Sequence, residues 1–132
     1  MSIRKLPDYR LKQKILYVDV ADPEVLKNYG DLFFKEGNYS DALDFYQKAN
    51  FIEGMQKIKE TALDSGDVML FQRAAKVLNL DLKPSDWENI GQKAMALKKY
   101  FFARHALEKA DNEESLNALK KIMEVEEQEK ST

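Results

Sequence analysis

Two segments of this chain carry apolar and small residues at the same mutual spacings. In one, Leu26, Tyr29, Gly30, Phe33, Tyr39, Ala42, Tyr46 and Ala49 stand in register; in the other, Trp87, Ile90, Gly91, Ala94, Tyr100, Ala103, Leu107 and Ala110 do. Strict alternation never lasts in either, whereas steps of three and four recur, which is the period of a helix. Between the two helical runs of the first segment lies Lys35-Glu36-Gly37-Asn38-Tyr39. There Gly37 can take the left-handed conformation that ends a helix, and Asn38 or Ser40 can cap the next one. The segment reads as a helical hairpin opened by Asp22-Pro23-Glu24, an N-cap candidate with proline at the first helical position. Gly30, Ala42 and Ala49 are small where two helices must approach each other. In the second segment Ser85-Asp86-Trp87-Glu88 offers a capping box, while Lys98 and Arg104 stand where the first has Gly37 and Leu43.

The gap between the two segments holds a degenerate third. Aligning Gly66 with Gly37 brings Met55, Ile58, Ala62, Val68, Phe71, Ala75 and Leu78 onto the packing positions, with Lys59 in place of the glycine and Phe71 in place of the small alanine. Units then start near residues 23, 52 and 84. A basic amphipathic helix over about 7–17 and a final helix over about 112–128, with Leu116, Leu119, Ile122 and Met123 on one face, complete eight helices. The expected fold class is all-α.

The pattern Leu26, Gly30, Phe33, Ala42, Tyr46, Ala49 and its recurrence resemble the tetratricopeptide repeat family, whose 34-residue unit is an antiparallel helix pair. Tyr29 stands where that family usually has Leu, and the proline expected near Gly54 is absent. The uneven unit lengths also resemble the looser α-solenoids of coat and intraflagellar-transport subunits. The resemblance implies a right-handed α-solenoid of about three antiparallel helix pairs with flanking helices, in a single domain spanning 1–132. Helix pairs of this kind bury too little alone, so neighbours cover each other and the charged terminal helices act as caps.

Chemistry is sparse. With 132 residues, 33% of them charged and a net charge of −2, the chain has the balance of a folded protein with both signs on its surface, and lacks the basic excess of a general nucleic-acid binder. It has no Cys, which removes disulfides, thiolate metal sites and Cys nucleophiles. No apolar stretch follows the basic N-terminal residues, so the expectation is a soluble, cytoplasmic protein with no transmembrane segment. The one histidine, His105, lies a residue off the packing positions and reads as a surface or boundary residue with no triad to join. No HExxH, P-loop, GxGxxG or EF-hand spacing occurs. Asp41 with Asp44, and Glu113 with Glu114, are carboxylate pairs of a sort common on exposed helices. The chain is therefore not expected to be an enzyme, or to hold a catalytic residue, metal, cofactor or small-molecule substrate. Phe34, Phe101 and Phe102 are left over from the packing pattern, and burial against neighbouring helices is expected of them.

Family membership would imply protein recognition, with the first helix of each pair lining a concave groove for a peptide or partner helix. The implied partner-binding groove comprises Lys27, Asn28, Asp31, Phe34 and Lys35, then Gln56, Lys57, Glu60 and Leu63, then Glu88, Asn89, Gln92 and Met95. Chaperone-type members grip a C-terminal carboxylate at positions that here read Lys27, Asp31, Lys57, Ser85 and Asn89; only Lys27 agrees, and Asp31 would repel the ligand. The partner is thus another protein or peptide of unstated identity. The alternative is nucleic-acid or anionic-surface binding through the basic N-terminal segment Arg4 to Lys14, although nucleic acid is not the expected partner. Basic residues at 1–18 and acidic ones at 113–130 give the ends opposite sign. A monomer or weak dimer is expected, because exposed charge pairs contribute at most about 1 kcal/mol each.

Overall fold

The structure, a computed structural model, describes residues 6–18 and 22–131. All regular elements among them are helical: α1 (Tyr9–Gln13), running on into a π-helical turn (Lys14–Val18), then α2 (Pro23–Lys35), α3 (Tyr39–Lys48), α4 (Ile52–Ser65), α5 (Val68–Val77), α6 (Pro84–Ala96), α7 (Tyr100–Lys109) and α8 (Glu113–Ser131). None is long and apolar enough to cross a membrane. The chain divides into two compact units, and the division falls inside α4, after Ile58.

The helix starts follow the local chemistry. Asp22 accepts the Glu24 N–H at 2.8 Å and Pro23 opens α2 with a φ already suited to a helix. Asp67 caps α5, accepting from Leu70, and Asp8 caps α1, accepting from Leu11. Two expectations about caps are corrected. Asn38 occupies the N-cap of α3 but its side chain makes no capping bond. The box expected from Ser85 and Glu88 does not form, because Pro84 begins α6 and moves the cap back to Lys83; the Asp86 carboxylate accepts the Lys83 N–H at 2.9 Å.

Helix ends repeat one device. After α2 the N–H of Asn38 reaches the Phe33 carbonyl and that of Gly37 the Phe34 carbonyl, with Gly37 at φ 79°. The same two bonds and a left-handed residue follow α3 at Asn50, α4 at Gly66, α5 at Asn79, α6 at Lys98 and α7 at Asp111. This is the Schellman motif, which satisfies the carbonyls a helix end leaves over. Gly37, Gly66 and Lys98 hold equivalent places, and so do Asn50, Asn79 and Asp111.

In the unit that ends at Ile58, α2 lies on α3. Phe45, wholly buried, stacks between Tyr29 and Phe33 at centroid distances of 5.5 and 5.3 Å. The Tyr46 ring is held by two glycines. A Cβ on Gly30 would stand 2.5 Å from its Cε1, and one on Gly54 would stand 2.7 Å from its Cγ. Lys12 fastens the N-terminal helix to α3 through Asp41 and Asp44. In the unit from Lys59 onward, α6 packs on α7 and α7 on α8. A Cβ on Gly91 would meet Leu107 Cδ2 at 2.9 Å, so the close approach expected at this glycine is present. Trp87, Ile90, Ala94, Ala103, Ala106, Leu107 and Leu119 form that core with Phe71, Ala74 and Ala75.

Candidate functional site

Within the first unit the sequence-derived partner residues gather at the meeting of α2 and the start of α4. Lys27 Nζ lies 4.9 Å from the centre of the Phe51 ring, and Lys57 Nζ lies 4.6 Å from that of Phe34. Each ammonium is thereby steadied on an aromatic face, an interaction of roughly 0.5–1 kcal/mol at exposed sites. Phe34 is half-buried, with Tyr39 tilted against its other side at 5.1 Å. Asp31 does not stand as a bare repulsive charge: it accepts a 2.6 Å hydrogen bond from the Tyr46 hydroxyl. Burial first, and then Asp31, hold the Tyr46 phenol well above its ordinary pKa. Asn28, Lys35 and Gln56 are exposed.

In the second unit the corresponding residues are partly committed to α8. Gln92 donates to the Ser115 hydroxyl at 2.8 Å, and Glu88 accepts from the Asn112 amide at 3.0 Å. Asn112 in turn caps α8, accepting the Ser115 N–H. Glu60 and Asn89 are exposed, while Leu63 and Met95 are half-buried.

Other residues singled out in the sequence fall as follows. Asp41 and Asp44 are not a solvated pair; they hold Lys12, whose pKa burial alone would lower but which their hydrogen bonds and charge raise. His105 is half-buried with its ring edge-on to Trp87 at 5.9 Å, and its Nε2 has no hydrogen-bond partner. Phe101, expected to be buried, is 80% exposed: it sits in the first turn of α7, where Tyr100 and not Phe101 is directed to α8. Phe102 is half-buried. Of the basic N-terminal segment, Arg4 and Lys5 lie outside the described residues, Arg10 and Lys14 are exposed, and Lys12 is paired. Among the described residues no group of three or more His, Asp or Glu side chains is placed to hold a metal ion.

Comparison of the chain with protein-family models, curated proteins and solved structures finds no match.

Proposed function

We propose that this chain is a tetratricopeptide-like helical repeat acting as a non-enzymatic interaction module. Its helix pairs are antiparallel and stack as a right-handed α-solenoid, and the outward residues of their first helices meet a peptide or partner helix. The observation that carries the reading is the recurrence of one helix-ending motif at six helix ends, in two sets of three equivalent places, kept even where Lys98 replaces the glycine. Contact order supports the pairing: Phe34 meets Tyr39 beside the link, while Tyr29 and Gly30 meet Phe45 and Tyr46 far from it. Glycines at the close approaches of both α2 with α3 and α6 with α7 support it too.

For binding, the first unit offers the better-formed face. Lys27 and Lys57 rest on Phe51 and Phe34, so ordering them on a ligand forfeits less side-chain freedom than ordering a lysine in solvent. Beside them lie the exposed amides Asn28 and Gln56. A panel of peptides of varied charge, titrated against the whole chain and against Lys27→Glu/Lys57→Glu, tests the reading. Bound peptides are expected to weaken by about tenfold or more in the double variant and to change little between low and physiological salt. Binding indifferent to both substitutions would remove the face from the proposal. Binding of DNA, RNA or anionic vesicles that decays steeply with salt would favour the basic N-terminal segment instead.

A further inference from the structure

Helix α8 turns only part of its apolar surface inward. Leu119 is buried and Leu116 and Met123 are half-buried, all on the side that meets α7. Ala118, Ile122 and Val125, at steps of four and three, share another face, and all three are exposed, Ile122 at 39% and Val125 at 54%. Glu114 and Glu129 begin and end that stripe, both exposed. The Tyr100 hydroxyl donates to Glu126 at 2.7 Å, which brings the first turn of α7 alongside this stretch of α8. That turn carries the 80%-exposed Phe101. The result is an apolar strip with a carboxylate at each end and the exposed Lys121 beside Ala118 and Val125.

The N-terminal helix has the opposite character. Lys12 faces inward to Asp41 and Asp44, which leaves Tyr9, Arg10, Leu11 and Lys14 outward. Tyr9 is 75% and Leu11 46% exposed, and the exposed charges between and after them are both positive. One chain thus presents an exposed apolar strip with acidic ends and an exposed apolar helix with basic residues.

We propose that the strip on α8 docks the N-terminal helix of a second copy of this chain, Ile122, Val125 and Phe101 covering Leu11 and Tyr9 while Lys14 pairs with Glu114. The two patches match in chemistry, with Lys14 opposite in sign to Glu114, and they differ from each other, so the contact is heterologous: a joined pair keeps one unused head, on one copy, and one unused tail, on the other. The assembly is weak, because the charged pair is exposed and the apolar strip is narrow.

Sedimentation velocity of the whole chain from micromolar to millimolar concentration, with two variants, tests this. The wild type is expected to show a mean mass that rises steadily with concentration. Ile122→Asp disables the tail and Leu11→Asp the head, so each alone stays monomeric, its association weakened by at least about tenfold. Mixed, the two variants regain one intact head and one intact tail and form a one-to-one complex that grows no further. Lys14→Glu, which removes no apolar contact, weakens association with no change in far-UV circular dichroism, and Glu114→Lys partly restores it. A monomeric wild type at millimolar concentration would overturn the proposal. So would Leu11→Asp associating as the wild type does, which would mean an α8-to-α8 contact, or mixed variants that fail to combine while both remain helical.

Discussion

At the scale of single residues, left-handed backbone and glycine contacts make opposite predictions at equivalent places. Gly37 has φ 79° and open space around it, so Gly37→Ala pays only for conformation, about 1 kcal/mol. Lys98 already bears that cost at φ 61°. Lys98→Gly should therefore stabilise, by about 0.5 kcal/mol once the larger freedom of glycine in the unfolded chain is subtracted. Its long contact with the half-buried Glu126, at 3.8 Å and with Lys98 itself exposed, changes the result little. Urea midpoints of the two variants moving in the same direction would contradict the shared conformation. Gly30→Leu is the severe case, because the new Cβ meets the Tyr46 ring at 2.5 Å; a loss of about 2 kcal/mol or more is expected. Tyr46 also carries a pH dependence. Its phenol is raised above the ordinary value of 10 by burial and by Asp31, so folding favours the protonated form. That stability is fully present below about pH 10 and is lost as pH rises beyond it. Tyr46→Phe should flatten the alkaline decline of the urea midpoint relative to the wild type; parallel curves would show the hydroxyl to be equally solvated in both states.

At the scale of helices, the sequence was legible wherever a side chain acts through its own turn. Starts at Pro23 and Pro84 and left-handed ends at Gly37 and Gly66 could be read from residue type, because the chemistry is local. Helices α3, α5 and α7 were read incompletely. A single face of period 3.6 finds Ala42 and Tyr46, yet Leu43 and Phe45 are just as buried, and α5 and α7 likewise bury neighbours such as Leu70 with Phe71 and Ala106 with Leu107. These helices are covered on two flanks, and a pattern search for one stripe cannot see the second. Gly54 was legible only as a missing proline; its use, making room for Tyr46 from the side opposite Gly30, depends on a third helix arriving there. The candidate site was half legible. Spacing selected Lys27, Phe34 and Lys57, but the seating of each lysine on an aromatic ring and the bond from Tyr46 to Asp31 are tertiary. The N-terminal helix gives the prediction for this scale. Only five residues long before its π turn, it is too short to persist without tertiary support, and Lys12 with Asp41 and Asp44 supplies part of it. Lys12→Ala should speed amide exchange across residues 9–18 by tenfold or more, a local opening of about 1–2 kcal/mol, and leave α6 and α7 protected as before. Equal acceleration throughout would make Lys12 part of a global core.

At the scale of the whole molecule, the proposal of a repeat makes a claim about cooperativity that a globular helical domain does not share. In a stack each pair is stabilised by itself and its neighbours, so damage in one place is felt less with distance along the chain. The chain has one Trp, Trp87, buried at 8% exposure against His105 in the unit that begins at Lys59. Its fluorescence reports that unit, whereas far-UV circular dichroism averages all helices. In Gly30→Leu, which breaks the approach of α2 to α3, the dichroism transition in urea should begin at lower denaturant than the Trp87 transition. In Gly91→Leu, which drives a Cβ into Leu107 beside Trp87's own helix, the fluorescence transition should lead. A two-state domain would instead show both probes coinciding in both variants. Coincidence would leave the helix-ending motif as a shared local device and take away the energetic meaning of the repeat. Separation in the stated order would tie the recurrence of Gly30 at Gly91 to units that fold by nearest-neighbour support.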